Sequence, residues 1–351
     1  MTVLITGALG FVGRNLSKYL ADRGQYLLAI DVASQAGTAY SEFYTWDELD
    51  LVDWSRVDAV VHLAGKAHDT RNTSDEKSYF DVNVGFTKKV LEAAVGSWQP
   101  TAEKAQLSMD NGSWSRQDAK AQRKFILFSS VKAAADRVED VLTEEVVPNP
   151  QTPYGRSKLE AEKEVLKFGS SEVRELETAA NHANRANEED FRTYILRPCM
   201  IHGPGNKGNL NLLYNVVQKG VPWPLGAFDN KRSFASIENV CAVVEGLLTG
   251  DAPAGVYQVA DDEPLSTNAV ISLMANSLGR GGRIWSVPAG LIRWIARCGD
   301  LLHLPLNSER LKKLTESYVV SNTKLKAALG WETMPVNARE GLRKTVESFR
   351  K

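Results

Sequence analysis

The chain has 351 residues, an ordinary globular composition and a formal net charge of −1. This balance gives no electrostatic reason to expect a nucleic-acid partner, and no basic stripe with interleaved aromatic residues is present. The length exceeds what one hydrophobic core usually serves, so we predict a large α/β domain with a smaller attached lobe.

The predicted elements begin at the N-terminus, where MTVLITGALGFVG enters a strand without the basic and apolar regions of a signal peptide. Short apolar runs then alternate with helical patterns. We predict strands at 2–7, 26–31, 59–65, 124–130 and 192–198. Apolar runs of this length are typical of strands buried on both faces of a parallel sheet. The pattern therefore predicts a Rossmann-type, doubly wound parallel sheet.

The predicted domain boundary lies at residue 198, after the last of these strands. We assign 1–198 to the sheet domain, completed by segments around 234–260, and 199–351 mainly to a smaller α/β substrate-binding lobe. Two polar segments, 97–124 and 169–192, carry no motif, and we interpret them as surface excursions placed just before strands.

A glycine-rich turn follows the first predicted strand. Residues 6–13 read TGALGFVG, and Gly7, Gly10 and Gly13 would let the backbone approach a pyrophosphate at the N-terminus of the next helix. Asp31 ends the second strand, about 20 residues further on, where a carboxylate can accept the ribose hydroxyls of NAD. No Arg or Lys follows it to hold a 2′-phosphate, so the sequence favours NAD over NADP.

Four side chains form a candidate catalytic set. The run FILFSSVK ends a strand with Ser129 and Ser130, at the sheet edge where open α/β sheets bind ligands. Tyr154 and Lys158 are four residues apart and share one face of a predicted helix. A neighbouring ammonium favours ionised tyrosine, so Lys158 would make Tyr154 a usable proton carrier while Ser130 donates to the substrate oxygen. The alternative is that Tyr154 only packs and Lys158 is a solvated charge.

The late apolar stretch 285–304 contains Arg293, Arg297 and Asp300, so it does not reach the roughly 20 apolar residues that a membrane span needs. We interpret it as an amphipathic helix that covers a core. A helix lying on a membrane is the less favoured alternative, because too few basic residues line its polar side.

The cysteines give a prediction about metal and redox state. Cys199, Cys241 and Cys298 are odd in number, far apart in the sequence and without metal-ligand spacing. We therefore predict no metal site, and we expect a reduced, cytoplasmic setting for the protein.

In order along the chain, the segments TGALGFVG, HLAG, FSS, PYGRSK and RPCMIHGPGNKGN resemble the extended short-chain dehydrogenase/reductase family, in its NAD-dependent nucleotide-sugar epimerase, dehydratase and ketoreductase branch. The resemblance covers nearly the whole chain apart from the two polar segments. Within that branch, SSVK, PYGRSKLEAE and the stretch from GPGNKGN to KRSFASIENV look most like bacterial enzymes that act at C4 of UDP-N-acetylhexosamines in polysaccharide synthesis. We accordingly expect a UDP-sugar substrate and a homodimer.

The resemblance also implies roles for single residues. Tyr154 would be the acid and base, and Lys158 would also hold the nicotinamide ribose. Ser130 matches the catalytic serine of the family, with the adjacent Ser129 as a rival. The implied cofactor contacts come from Gly7, Gly10, Phe11, Val12, Gly13, Asp31, Leu63, Ala64, Gly65 and Asn83.

Implied substrate contacts lie in two parts of the chain. Asn209 and Arg232 fall where the family grips the diphosphate, for which a guanidinium is well suited; the alternatives are a helix cap and a surface cation. Lys66 and His68, on the loop after the third predicted strand, could touch the sugar, although His68 could equally be a solvated loop residue. We interpret His62, inside that strand, as a packed histidine with satisfied hydrogen bonds.

The reaction is left with two main alternatives. The resemblance implies hydride transfer from the sugar to NAD while Tyr154 removes the hydroxyl proton, which gives a ketone. Dehydration is disfavoured, because Val131 and Lys132 stand where a 4,6-dehydratase has an Asp-Glu pair. Epimerisation at C4 of a UDP-hexose or UDP-N-acetylhexosamine is favoured, and NAD(P)H-dependent reduction of a UDP-4-keto-6-deoxy-N-acetylhexosamine stays open. A non-catalytic NAD-binding regulator is a remote third, since it would not need Tyr154 and Lys158.

Overall fold

The chain is described by a computed structural model over residues 1–33, 38–66, 75–98, 122–169, 191–206, 208–302 and 307–350. Its strands are β1 (Thr2–Thr6), β2 (Tyr26–Asp31), β3 (Glu42–Thr45), β4 (Ala59–His62), β5 (Arg123–Phe128), β6 (Val141–Leu142), β7 (Phe191–Pro198), β8 (Met200–His202), β9 (Phe234–Ser236), β10 (Gly255–Val259) and β11 (Val319–Val320). Its helices are α1 (Phe11–Ala21), α2 (Glu76–Asn83), α3 (Gly85–Trp98), α4 (Pro153–Gly169), α5 (Asn209–Gln218), α6 (Ile237–Thr249), α7 (Thr267–Ser277), α8 (Ala289–Leu302), α9 (Ser308–Thr315), α10 (Thr323–Leu329) and α11 (Ala338–Ser348). The predicted polar excursions at 97–124 and 169–192 lie almost entirely outside the described residues.

Seven strands form one sheet in the order β10-β7-β5-β4-β1-β2-β3. Every pair from β7 to β3 is parallel. Three consecutive residues of β1, Val3, Leu4 and Ile5, are fully buried, as expected for a strand covered by helices on both faces. The strand order reverses direction beside β1, so the ends of β1 and β4 flank the point where doubly wound sheets bind ligands. The predicted Rossmann-type fold is confirmed.

Two details of the sheet differ from the prediction. The edge strand β3 was not predicted, because its residues EFYT are polar or aromatic and only partly buried, without an apolar run. Of the segments expected around 234–260, β10 does join the sheet, whereas β9 pairs with β8 in a separate two-stranded sheet. All three residues of β9 are buried. Burial in either sheet requires the same apolar character, so the sequence does not indicate which sheet β9 joins.

Two compact units are interleaved along the sequence. The first comprises Met1–Asp136, Val147–Arg197 and Val244–Tyr257; the second comprises Arg137–Val146, Pro198–Val243 and Gln258–Lys351. Two short segments belong to a different unit from the residues on either side of them in the sequence. Residues 137–146 belong to the second unit because β6 pairs with β11. Residues 244–257 belong to the first, where carbonyl oxygens of Leu247, Leu248 and Gly250 accept hydrogen bonds from the buried ammonium of Lys124.

Helices of the second unit pack around their own apolar core. Met274 of α7, Ile292 and Ala296 of α8 and Leu342 of α11 are all buried in it. The late apolar stretch therefore does form an amphipathic helix that covers a core, as predicted. Among the residues described here, no helix is both long enough and apolar enough to cross a bilayer.

Candidate active site

The glycine turn lies between the end of β1 and the start of α1. Gly7 adopts φ +67°, and a Cβ atom there would lie 2.7 Å from the backbone nitrogen of Ala64. A Cβ on Gly13 would lie 2.5 Å from the carbonyl oxygen of Ala8. Only glycine allows the turn to pack this closely against the segment that leaves β4. Helix α1 then begins after Gly10 with no side-chain cap, which leaves its first N–H groups for a ligand.

Asp31 is held against this turn by backbone hydrogen bonds. Its Oδ2 accepts from the N–H of Leu9 at 2.7 Å, and its Oδ1 accepts from the N–H of Val32 at 2.7 Å. The predicted ribose carboxylate therefore lies beside the predicted phosphate turn. Phe11 and Val12, the first two residues of α1, are both half-buried.

A chain of hydrogen bonds passes through His62, at the end of β4. The N–H of Ala64 donates to the Thr6 hydroxyl, which lies 2.7 Å from His62 Nδ1. On the other side, His62 Nε2 lies 3.0 Å from the Thr87 hydroxyl, which donates to the carbonyl oxygen of Asn83. Burial lowers the pKa of His62 to about 3, and the charge of Lys158 adds to this effect. His62 is thus a neutral, satisfied histidine, as predicted.

Gly65, Asn83 and Lys158 meet beyond the end of β4. A Cβ atom on Gly65 would lie 2.8 Å from Asn83 Oδ1 and 2.9 Å from Lys158 Nζ. Asn83 is itself fixed: its Oδ1 accepts from the N–H of Lys66, and its Nδ2 donates to Ser157 Oγ. Three residues predicted separately, from a loop and two helices, therefore form one cluster. Leu63 and Ala64, at the end of β4, lead directly into it.

The first turn of α4 brings Tyr154 to Ser130. Thr152 caps the helix by accepting from the N–H of Gly155, and Pro153 suits its first position. A side chain on Gly155 would collide with the carbonyl oxygen of Lys132, so glycine lets α4 start against the turn that follows Ser130. This role of Gly155 was not predicted from the sequence, although a glycine in the first turn of a helix is itself a signal of close packing.

Tyr154 lies among polar and aromatic neighbours. Its side chain is hydrogen-bonded to Ser130, and its ring lies edge-on to that of Tyr79, with centroids 6.0 Å apart. Tyr79 was not predicted as part of the site, but it lies four residues before Asn83, on the same face of α2. Lys66 reaches this group as well, with Nζ bonded to Ser78 Oγ and 5.4 Å from the Tyr79 ring centre.

The pKa values of Tyr154 and Lys158 are both shifted by burial. Burial raises the pKa of Tyr154, the hydrogen bond from Ser130 opposes that rise, and the nearby Tyr79 adds to it. Burial lowers the pKa of Lys158 to about 8, with Glu162 acting in the opposite direction. Lys158 is not among the groups that shift the Tyr154 pKa, and its ammonium donates to the carbonyl oxygen of Phe128 at 2.9 Å.

Ser129 and Ser130 have different surroundings. The Ser129 hydroxyl donates to Glu162, which forms a fully buried, two-pronged ion pair with Arg197 through Nε at 2.9 Å and Nη2 at 2.5 Å. The Ser130 hydroxyl instead accepts from the N–H of Lys132 at 3.2 Å and is bonded to Tyr154. Only Ser130 is therefore positioned beside Tyr154.

Comparison with known proteins identifies the family to which the chain belongs. The model of the NAD dependent epimerase/dehydratase family matches residues 3–260. The chain belongs to this family. The protein is therefore an NAD-dependent enzyme.

Two curated relatives span almost the full chain. It is 25% identical to a UDP-glucose 4-epimerase of Vibrio cholerae over 360 residues, covering 99% of this chain and 95% of that protein. It is 28% identical to the N-acetyl-α-D-glucosaminyl-diphospho-ditrans,octacis-undecaprenol 4-epimerase of Escherichia coli O157:H7, covering 98% and 94%. Among solved structures, MoeE5 in complex with UDP-glucuronic acid and NAD has a TM-score of 0.69 at 20% identity, covering 100% of this chain and 99% of that one. This last likeness shows the fold.

The residues of this epimerase/dehydratase family member fit NAD. The uncapped start of α1 and the glycine turn suit a pyrophosphate, and Asp31 beside them suits the adenosine ribose. Because Gly65 has no side chain, Asn83 Oδ1 and Lys158 Nζ can both lie against the backbone that leaves β4, where their polar atoms suit the nicotinamide ribose. When bound, NAD supplies a hydride acceptor that can return the hydride.

The remaining predicted residues are in the second unit or outside the description. Asn209 is the first residue of α5, and its side chain lies outside the described part, as does the whole of His68. Arg232 is half-buried, with Nε donating to the carbonyl oxygen of Glu316 at 3.2 Å. Burial lowers the pKa of Arg232, and Glu316 opposes this. Because its guanidinium is partly buried, Arg232 is not simply a surface cation, which was the alternative interpretation of this residue.

Proposed function

We propose that this protein interconverts the C4 epimers of a UDP-hexose or UDP-N-acetylhexosamine through a 4-keto sugar, with NAD retained between the two half-reactions. The observation that carries the proposal is the contact of Tyr154 with Ser130, with Lys158 buried one helical turn away. The 4-epimerase names of two relatives that span the chain also support it.

Tyr154 is proposed as the proton carrier. Its Oη would take the proton from the sugar O4 as the ketone forms and give it back afterwards. Ser130 Oγ would hold O4 by a hydrogen bond and steady the charge that develops there. Lys158, fixed through Phe128, would place a positive charge beside these groups and favour the ionised tyrosine once substrate and cofactor exclude water.

The second unit is proposed to hold the diphosphate. Arg232 offers a guanidinium whose donors match phosphate oxygens, and its backbone is fixed by reciprocal hydrogen bonds with Leu265. Asn209, at the start of α5, is proposed as its companion. Lys66 is proposed to contact the sugar, since its ammonium already lies in the group of Ser78 and Tyr79.

Dehydration does not suit the residues that follow Ser130. Val131 is buried, and the Lys132 ammonium donates to the carbonyl oxygen of Asp136 at 2.8 Å. The Asp136 carboxylate accepts from the N–H groups of Gln151 and Thr152, so it fixes the approach to α4. Neither position after Ser130 therefore offers the acid and base that an elimination of water needs.

A second candidate substrate keeps the same chemistry. A sugar joined through a diphosphate to a polyprenol presents the same reacting carbon and the same phosphates as a UDP-sugar. One relative is named as a 4-epimerase of such a molecule. The specific observation that favours this candidate is the exposed apolar side of α8, which includes Leu291, Trp294 and Leu301.

The test is incubation of the purified protein, without added reductant, with UDP-glucose, UDP-GlcNAc and a GlcNAc-diphospho-polyprenol in separate reactions. Appearance of the C4 epimer in any of them supports epimerisation and identifies the carrier. A separate set of reactions contains added NADH. If NADH is consumed only with a UDP-4-keto-6-deoxy-N-acetylhexosamine, the protein is instead the reductase. Tyr154→Phe should lower turnover by about 10²-fold or more while NAD still binds, and full activity of that variant would overturn the mechanism.

A further inference from the structure

Helix α8 carries two apolar stripes, of which only one is used by the core. Ile292 and Ala296 are buried in the second unit. A second stripe runs alongside, formed by Leu291, Trp294 and Leu301, which are 49%, 63% and 81% exposed. Ile295, at 37% exposed, joins this stripe because it is four residues after Leu291. An amphipathic helix that only covered a core would place polar residues on this side.

An exposed tryptophan also stands just before this helix in the sequence. Trp285 is 58% exposed, and it and Trp294 are the tryptophans of the described residues that are more than half exposed. Exposed apolar groups that cluster in this way mark an interaction site, unlike single exposed residues. We call the exposed apolar side chains of the helix, Leu291, Trp294, Ile295 and Leu301, the α8 surface.

The charge of the surrounding sequence is strongly positive. Between Arg280 and Lys313 there are seven basic and two acidic residues, in a chain whose net charge is −1. Arg293 and Arg297 are exposed on α8 itself, on the side of the helix between its two stripes. Of the two acidic residues, Asp300 is engaged in accepting from the N–H and hydroxyl of Ser308. The other five basic residues flank the helix on both sides in the sequence.

We propose that the α8 surface docks this protein on an anionic lipid bilayer. Tryptophan and leucine side chains suit the boundary between headgroups and acyl chains, and arginines beside them pair with lipid phosphates. Helix α8 has 14 residues, so it would lie in the plane of the interface.

A second copy of the chain fits this surface less well. In a two-fold contact the same patch meets itself, so the arginines of α8 would approach their own counterparts. Like charges brought together at an interface oppose association, whereas the same charges attract an anionic bilayer. The inference goes beyond the proposed reaction and holds for either substrate carrier.

The experiment is co-sedimentation of the full chain with vesicles of phosphatidylcholine alone and of phosphatidylcholine mixed with phosphatidylglycerol. The wild type should bind the anionic vesicles, and high salt should weaken that binding. The double variant Trp294→Ser/Leu301→Ser should partition about tenfold or more weakly, because it removes two apolar side chains from the interface. Leu51→Ser is the matched control, since Leu51 is 70% exposed in the first unit, and it should bind as the wild type does.

Three results would overturn the proposal. They are failure of the wild type to bind anionic vesicles, equal binding by the double variant, and a double variant that dissociates an oligomer in the absence of lipid. The last would show that the α8 surface is a contact between copies. Thermal unfolding and NAD binding of each variant, which should match the wild type, exclude misfolding as the reason for lost binding.

Discussion

At the scale of single residues, the adjacent serines Ser129 and Ser130 have different hydrogen-bond partners. Ser129 and Ser130 have the same side chain, yet one satisfies a buried carboxylate and the other lies beside Tyr154. Successive residues of an extended chain point to opposite sides, so adjacent serines cannot share a partner. The two serines therefore provide a matched pair of mutations that separates stability from activity.

Replacing each serine by alanine should give opposite results. Ser130→Ala should lower kcat by about 10²-fold with little change in the free energy of unfolding, because it removes a hydrogen bond to the reacting oxygen. Ser129→Ala should lower the free energy of unfolding by about 1–3 kcal/mol, because Glu162 loses a donor in a buried site. Steady-state kinetics and urea unfolding of both variants check this. A large loss of kcat in Ser129→Ala alone would reverse the assignment.

The pH dependence of activity should follow Lys158. Its pKa of about 8 means that the ammonium is present below that pH and is lost as the pH rises through it. Because the proposed mechanism needs the charge, kcat/KM should fall on the alkaline side near pH 8. Lys158→Arg should move this fall to higher pH, even if its activity is lower, since a guanidinium stays charged. A pH profile with the same alkaline fall in both proteins would contradict the assignment.

The same shift makes a prediction about stability, with its sign fixed by the two states. The folded protein releases the Lys158 proton near pH 8, whereas an unperturbed lysine releases it near 10.5. Between these values the unfolded chain binds more protons, so this residue's contribution to the free energy of unfolding increases with pH. Urea unfolding of Lys158→Met and of the wild type at several pH values isolates the contribution of Lys158 to the free energy of unfolding. The difference between them should change across this window and stay flat below it.

At the scale of elements, the space around a glycine decides what a substitution does. Gly13 in α1 has carbonyl oxygens of the turn at 2.5 and 2.6 Å from the position of a Cβ, whereas Gly96 in α3 has nothing within 4 Å. Both are helical residues, so intrinsic helix propensity favours alanine at each by about 1 kcal/mol.

Gly13→Ala should therefore weaken NAD binding by about tenfold or more, since the turn must open to accept the methyl group. Gly96→Ala should leave binding unchanged and raise the free energy of unfolding by about 0.5–1 kcal/mol. Fluorescence titration with NADH and thermal unfolding test both. Equal NAD affinity in the two variants would show that the close packing of the turn does not matter for the cofactor.

The sequence predicts those elements whose signal is local. The apolar runs gave β1, β2, β4, β5 and β7, and the glycine turn, Asp31 and the Tyr154–Lys158 pair come together in one unit as their spacing implied. The edge strand β3 was not predicted, since its residues are only partly buried. Strand β6 was not predicted either, since it has two residues and a partner, β11, that is distant in sequence. The second stripe of α8 was not predicted either, because periodicity shows that a helix is apolar on one side but not how much of that side is covered.

At the scale of the whole molecule, the first unit depends on a segment far along the chain. The ammonium of Lys124, on β5, donates to carbonyl oxygens of Leu247, Leu248 and Gly250 at 2.9, 2.9 and 2.6 Å. A cation at the end of α6 satisfies carbonyls that the helix cannot pair internally. One side chain thereby links two parts of the sequence.

Lys124→Met should lower the free energy of unfolding by about 1–3 kcal/mol, because it leaves those carbonyl oxygens without their donor. Lys163→Met is the matched control: Lys163 is exposed on α4 with an ion pair to Glu160, so its loss should cost about 0.5 kcal/mol or less. Urea unfolding measures both. Equal costs would mean that water replaces Lys124 at the end of α6.

The interleaving of the two units has a consequence for synthesis on the ribosome. The glycine turn and the Tyr154–Lys158 pair emerge early, but β10 and the segment 244–257, which complete the same unit, are translated only after residues 198–243 of the second unit. A nascent chain that ends near residue 198 exposes the outer edge of β7 and leaves Lys124 without its carbonyl partners. Such an unpaired edge is a site for aggregation, so chaperone protection is expected to matter most during this interval of translation.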